Sequence, residues 1–319
     1  MTHSIILLAA YILDRIIGDP RSLPHPVVGM GKAISAIERL IRRGVKRPRS
    51  LRMAGVLLPI IVVGGAWVLT AIVLQLLSLL SPWLMWGAEI WLISTTIAAK
   101  GLKDAGMAVY IELQKGDIPA ARKALGMIVG RDTTSLDSPE IVRGTVETVA
   151  ENIVDGIISP LFFALIGGAP LAMAYRAVNT LDSMVGYKND KYRDLGWASA
   201  RLDDIANLIP ARFTALLLAL CAWVLRLDWR RSLRTVIRDA RLHPSPNSGF
   251  PESAVAGALG IRLGGENVYH GVVSFRAYMG DHLRLMEPED IIRTCRLMKL
   301  SASLFAVLCA VVAWIWIGG

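Results

Sequence analysis

The chain has only three cysteines and five histidines in 319 residues. Cys221, Cys295 and Cys309 form no ligand-spaced pair, and two of them lie in apolar stretches, which reads as buried free thiols. No HExxH and no Ser-His-Asp arrangement occurs, so zinc hydrolases and triad hydrolases are not indicated. Neither GxxxxGK[ST] nor GxGxxG is present, so a standard nucleotide-binding fold is not indicated either. The start of the chain lacks a basic residue before its apolar run and a small-residue cleavage site after it. Residues 5–17 are therefore expected to remain as a helix and not to be removed as a signal peptide. Strand-rich stretches and internal repeats are also missing.

Apolar sequence, by contrast, is abundant. Hydrophobic residues make up 54% of the chain and the mean hydropathy is +0.48, values uncommon in a soluble domain of this length. Residues 54–80 carry no charge, and Gln75 is their one strongly polar side chain. At about 1.5 Å per residue that run crosses a hydrocarbon core of about 30 Å. Further candidates are 83–99, interrupted by Glu89; 208–225, with Arg212 inside; and 300–317, ending near Trp314 and Trp316 as an interfacial belt would. Residues 5–17 are apolar but short and contain Asp14 and Arg15. Residues 157–175 are apolar but broken by Pro160, Gly167, Gly168 and Pro170. The expected fold is all-α: one polytopic, membrane-embedded domain over 1–319, with five or six membrane-embedded helices plus cytoplasmic helices and loops.

The net charge of +9 is unevenly placed. Residues 18–53 hold nine Lys/Arg against two acids, and 226–299 hold twelve against eight. These charges flank the spans, so the positive-inside rule accounts for them and a nucleic-acid partner is not needed. The turn at Ser81-Pro82-Trp83 has no basic residue and is placed outside, which puts 18–53, 100–156 and 226–299 in the cytoplasm. Asp117 and Ser138-Pro139 mark helix starts. Apolar spacing from Glu140 to Asp155 is helical. Residues 226–242 form a basic amphipathic helix, and 243–265 read as loop. If 157–175 crosses the membrane, 176–207 faces outside; if it is broken or re-entrant, that stretch faces a cytoplasmic site with the broken segment as its wall. The second arrangement is the expectation.

The densest polar group lies within 176–207. Asp182, Asn189, Asp190, Asp203 and Asp204 offer oxygen ligands without His or Cys, a set that suits Mg²⁺. Lys188, Lys191 and Arg193 suit phosphate oxygens. The same residues also describe a solvated loop whose ion pairs contribute little. Glu147, Glu151 and Asp155 stand at i, i+4 and i+8, which makes one acidic stripe on a helix; it reads as a solvated face or as a site for a cation or an amine. In Gly130-Arg131-Asp132-Thr133-Thr134, Arg131 and Thr133 could donate to a phosphate at a glycine-freed turn. His25 and His243 each precede proline. Each reads as a structural loop histidine or as part of a catalytic set.

Taken in order, LDRIIGDPRSLPHPVVGMGK (13–32), VGRDTTSLD (129–137), ETVAENIVDGIISPLFFALIGG (147–168), NTLDSMVGYKNDKYRDLGWASARLDDIANLIPAR (179–212) and HPSPNSGFPESAVAGALGIRLGG (243–265) resemble the adenosylcobinamide-phosphate synthase family of cobalamin biosynthesis, the CobD/CbiB family. The match runs nearly end to end. The resemblance implies a multi-pass enzyme of the inner membrane, a carbon–nitrogen ligase that joins adenosylcobyric acid to (R)-1-amino-2-propanol or its O-phosphate. ATP would be consumed with Mg²⁺, and cobalt would enter only within the corrinoid substrate. The lipid bilayer is a partner, and other late membrane enzymes of the pathway are candidate ones. Within that frame Asp182, Asn189, Asp190, Asp203 and Asp204 form the metal set. Arg131, Thr133, Lys188, Lys191, Arg193 and Asn247 form the nucleotide or phosphate set, and Glu147, Glu151, Asp155, His25 and His243 the catalytic set.

Two rival readings come from other classes. Asn189-Asp190-x-x-x-Asp194 and Asp203-Asp204-x-x-Asn207 look somewhat like the Asp-rich motifs of Mg²⁺-dependent membrane prenyltransferases, although the spacing departs from theirs. Glu89 and the broken 157–175 segment would suit a transporter or a membrane sensor.

Overall fold

The computed structural model describes residues 2–18, 25–269 and 271–318. Asp19 to Pro24, within the 13–32 block, and His270 lie outside the described residues. In chain order the helices are α1 (Thr2–Ile16), α2 (Pro26–Gly44), α3 (Pro48–Gly55), α4 (Leu57–Leu80), α5 (Pro82–Ser94), α6 (Ala99–Gln114), α7 (Ile118–Gly126) and α8 (Ser138–Ile153). There follow α9 (Ser159–Val185), α10 (Trp197–Ala206), α11 (Leu208–Val224), α12 (Trp229–Asp239), α13 (Gly249–Leu259) and α14 (Glu289–Gly318). The all-α expectation holds with one addition: strands β1 (Leu263–Tyr269) and β2 (Val272–Met279) pair as an antiparallel hairpin. The 243–265 stretch expected as loop instead contains α13 and the start of β1. Its prolines did not prevent a helix, because Pro251 sits in the first turn, where no intrahelical N–H is lost.

Among the described residues, three helical stretches are long and apolar enough to cross a membrane: Pro48–Leu80, Ser138–Val185 and Glu289–Trp316. A fourth arises if α10 and α11 count as one broken span. The five or six expected from sequence exceed this for a local reason. The 83–99 candidate stops at Ser94, because the hydroxyls of Ser94, Thr95 and Thr96 each bond the carbonyl three residues back. The resulting 13-residue α5 reaches only about 20 Å.

The chain divides into two compact units. The first comprises 1–98, 159–207 and 305–319. Its core packs Met30, Ile34 and Ile41 of α2 with Leu58 and Val62 of α4, Met173, Ala177, Leu181 and Val185 of α9, and Leu195. Ser81 closes α4 and caps α5 by accepting from the Trp83 N–H at 3.2 Å. The expected break in α9 is present: Gly167 and Gly168 leave helical geometry, with Gly168 at φ +61°. The Ala169 N–H freed by the break donates to a Glu89 carboxylate oxygen at 3.4 Å. The charge that interrupts the second apolar run therefore has a partner inside the protein.

The second unit comprises 99–158 and 208–304. Asp117 and Asp137 cap α7 and α8 through the N–H groups of Ala120 and Glu140, both at 2.9 Å. Helix α13 is buried on nearly every side, as its uniformly small and apolar sequence requires. It crosses α12 closely: a Cβ at Gly257 would lie 2.7 Å from the Arg231 carbonyl oxygen. The amphipathic helix begins at Trp229, later than the 226 start expected, because Asp228 is its N-cap and Arg226 has φ +58°.

Candidate functional site

In the second unit, three sequence segments converge on α8. Arg131 donates to Glu147 and to the Asn267 side-chain oxygen. The Glu147 carboxylate also accepts the Gly264 N–H at 2.8 Å and lies 3.5 Å from Arg143. Arg143 in turn donates to the carbonyls of Gly264, at 2.6 Å, and Glu266, at 2.8 Å. A bulge makes this reach feasible: Gly264 and Gly265 have φ of +86° and +96°, open to glycine at little cost. The GRDTT turn is clamped to the hairpin as well. The Asp132 N–H donates to Val268 O at 2.8 Å, and its carboxylate accepts from Gly271 N–H at 2.8 Å. Arg131 is thus committed to protein partners, and Thr133 is half-buried beside Gly126.

One turn further along α8, Glu151 accepts from the Ser248 hydroxyl at 2.8 Å. Asp155, the third acid of the predicted triplet, stands in a π-turn, Val154–Ile158, that directly follows α8. Glu147 and Glu151 lie one turn apart on α8 itself.

The 243–252 segment brings in His243, Asn247 and Glu252. The His243 ring accepts the Ser245 N–H on Nδ1 at 3.0 Å, and its Nε2 lies 3.7 Å from Glu252. Burial, opposed by the neighbouring Glu151, lowers the proton affinity of His243. Burial, reinforced by Glu151 and Glu147, raises that of Glu252 well above the ordinary carboxylate value. Asn247 is buried and accepts from Arg212 at 3.3 Å, while Arg212 covers the Phe250 ring. Beside the cluster opens a cleft of about 340 Å³ lined by Glu140, Arg143, Arg262, Gly265, Tyr278 and His282 among others. Sequence reasoning missed Glu252, Arg143 and Asn267. Glu252 stood in the HPSPNSGFPE block. Arg143 stands four residues before Glu147, a spacing that signals a pair. Asn267 carried no signal.

The first unit holds the other candidates. Residues 186–196 leave α9 as a loop pinched at its base by two glycines. A Cβ at Gly186 would lie 2.0 Å from an Asp182 carboxylate oxygen, and one at Gly196 would lie 1.7 Å from the Val185 carbonyl. Lys188, Asn189, Asp190, Lys191 and Arg193 are exposed. The Asn189 side chain caps the loop's own turn by accepting Tyr192 N–H at 3.0 Å. The loop rests on the basic elements of this unit: Arg42 of α2 donates to Lys191 O at 2.6 Å, and Arg52 of α3 covers the Trp197 ring at 4.3 Å. Asp203 accepts from Asn207 at 3.1 Å, and Asp204 pairs with Arg201 at 3.5 Å. His25 is the N-cap of α2, its Nδ1 accepting Val27 N–H at 3.3 Å. Among the described residues, no three His, Cys, Asp or Glu side chains gather so as to hold a metal ion. Protein ligands alone do not build a cation cage around Asp182, Asp190, Asp203 and Asp204.

A family model described as CobD/Cbib protein matches residues 7–298. A cobalamin biosynthesis protein CobD of Photorhabdus laumondii is 48% identical, with 97% of each chain covered. One from Klebsiella pneumoniae is 52% identical over 92% of each chain. A cobalamin biosynthesis protein CbiB of Salmonella typhimurium is 49% identical over the same share. No solved structure matches the chain.

Proposed function

Because the chain belongs to the CobD/CbiB family of cobalamin biosynthesis proteins, we propose that it is a membrane ligase. It joins adenosylcobyric acid to (R)-1-amino-2-propanol or its O-phosphate and consumes ATP. One observation carries this reading beyond the family: Arg131, Glu147, Glu151, His243 and the HPSPNSGFPE segment, dispersed in sequence, meet in one buried, acid-rich cluster. A pocket rich in carboxylates suits an amine substrate better than it suits an anionic prenyl diphosphate.

A carboxylate and an ammonium group do not condense unaided in water. Transfer of a phosphoryl group from ATP to the corrinoid carboxylate supplies a leaving group, and attack by the free amine then forms the amide. The exposed Lys188, Lys191 and Arg193 offer cations to phosphate oxygens. Mg²⁺ held by one or two carboxylates with substrate phosphates and water needs no three-carboxylate cage; brought with ATP, it would screen the phosphate charge. Asp190 at the loop tip and Asp182 at its base are the residues of this chain best placed along the loop to meet it.

The loop's contacts with α2 and α3 support a cytoplasmic position. Those two helices carry most of the basic excess of 18–53, and the positive-inside rule puts them on the side where ATP is found. Exposed Ile5, Ile12 and Ile16 on α1, with Trp83, Leu84 and Trp91 on α5, add two lipid-contacting segments to the four candidate spans. The protein then sits in the inner membrane with six embedded segments.

The decisive experiment uses the purified protein in proteoliposomes with adenosylcobyric acid, labelled aminopropanol or its phosphate, and ATP. The expected result is a corrinoid amide that forms only with ATP. Alanine at Asp182, Asp190 or Asp203 abolishes it while the protein still inserts. Normal turnover in all three variants removes the metal-contact assignment. Absence of any ATP-linked amide removes the ligase reading.

A further inference from the structure

Glu252 is 1% exposed, and neither of its carboxylate oxygens accepts a hydrogen bond among the described residues. A buried carboxylate without donors costs several kcal/mol unless it is protonated or paired. Its nearest basic neighbour does not satisfy it. His243 Nε2 stands 3.7 Å away, beyond hydrogen-bond reach, and also lacks a hydrogen-bond partner. Because His243 Nδ1 accepts the Ser245 N–H, the proton of the neutral ring sits on Nε2 and points to the gap. Glu151, the next carboxylate felt by Glu252, receives one hydrogen bond, from Ser248, and keeps acceptor capacity for more.

The charges give the same answer. Glu147 is matched by Arg131 and Arg143. Arg276, which acts on Glu252 and on His243, donates to the Tyr269 hydroxyl. With Glu252 ionised, Glu140, Glu147, Glu151 and Glu252 against Arg131, Arg143 and Arg276 leave one negative charge without a cation, which an ammonium group would match. A divalent ion needs about six oxygen ligands, and the described residues gather no such set. An ammonium group needs three acceptors, and two carboxylates supply them.

We propose that Glu252 and Glu151, beside His243, form the pocket for the primary ammonium group of the substrate, and that Glu252 is the base that takes its proton. This rests on the ligase reading above. The ammonium proton passes to the Glu252 carboxylate. The freed nitrogen lone pair forms the C–N bond at the activated carboxyl carbon as the bond from that carbon to the phosphate oxygen breaks. The departing phosphate takes the electron pair and the surplus proton left on nitrogen. The raised proton affinity of Glu252 fits a group that must compete with an amine for a proton.

The test compares the full-length protein with Glu252→Gln, which keeps the shape and removes the charge. Amide formation is measured with aminopropanol varied at saturating ATP and corrinoid. Activation of the carboxyl is measured separately as the hydroxamate formed from hydroxylamine, a nucleophile that arrives uncharged. The expected result is a KM for the amine raised about tenfold or more and a turnover lowered about a hundredfold, with hydroxamate yield unchanged. Unaltered KM and turnover with the amine overturn the proposal, as does an equal loss in both assays. Failure of the unsubstituted protein to form any hydroxamate sinks the ligase reading instead. A second measurement avoids the variant: thermal stability of the unsubstituted protein is expected to rise with aminopropanol and not with propane-1,2-diol. No shift, or the same shift with both, also overturns the proposal.

Discussion

The Arg131 guanidinium and the Glu147 carboxylate are ion-paired with side chains only 5% and 3% exposed. Removal of one member of such a pair leaves a buried charge without its partner, at a cost of about 3–5 kcal/mol. Glu147→Gln and Arg131→Met are each expected to lower the stability of the detergent-solubilised protein by about that much. Together they should cost less than the sum of the two. A double-mutant cycle read by thermal unfolding checks this, and additive losses would show that the pair is not coupled.

His243 and Glu252 give stability a pH dependence with opposite signs. Glu252 has its proton affinity raised above the ordinary value of 4.5, by burial first and then by Glu151 and Glu147, against Arg276 and Arg131. Its contribution is full below that pH and is lost as pH rises through the higher folded value. His243 has its proton affinity lowered from 6.5, by burial first, with Glu151, Glu147 and the Ser245 N–H opposing and Arg276 assisting. Its contribution is full above that pH and is lost as pH falls toward the lower folded value. Glu252→Gln should therefore flatten the alkaline limb of a melting-temperature profile and leave the acid limb in place.

Gly196 has no room for a side chain, since a Cβ there would lie 1.7 Å from the Val185 carbonyl. Gly196→Ala is expected to destabilise the protein by about 1–3 kcal/mol. Asp190→Ala, at the exposed tip of the same loop, should change stability by less than about 0.5 kcal/mol. Melting temperatures of the two variants in one detergent make the comparison direct.

A cysteine in place of Lys188 reports the side of the membrane. The loop is held to Arg42, and α10 directly after it to Arg52, so Lys188→Cys should react with a membrane-impermeant maleimide in inverted vesicles and not in intact cells. Labelling from outside would place the loop away from ATP.

Much of this molecule could be read from its residues, because its strongest signals are local. The uncharged 54–80 run, the Asp117 cap, the helix start at Ser138-Pro139 and the Gly167–Gly168 break need no knowledge of the fold. The family blocks located both the 186–196 loop and the HPSPNSGFPE segment. What escaped depends on contacts distant in sequence or on geometry with no residue signature. Asn267 matters only because the hairpin bulge carries it to Arg131. The π-turn at Val154–Ile158, which holds Asp155, has no proline or glycine to announce it at its start. The early end of α5 follows from three successive hydroxyls turning back on their own carbonyls, which hydropathy does not register.

The bond between Glu89 and the Ala169 N–H also bears on how the chain is built into its membrane. Glu89 leaves the ribosome about eighty residues before the broken helix that supplies its donor. During that interval α5 would carry either an ionised carboxylate at high cost or a protonated one. Final seating of α5 must therefore wait for α9. The two segments mature as a mated pair, and Gly168, where a Cβ would lie 2.6 Å from the Glu89 oxygen, is where they lock. Substitutions at Gly168 should then appear first as a defect of biogenesis, with α5 exposed to quality-control proteases, before they appear as any defect of chemistry.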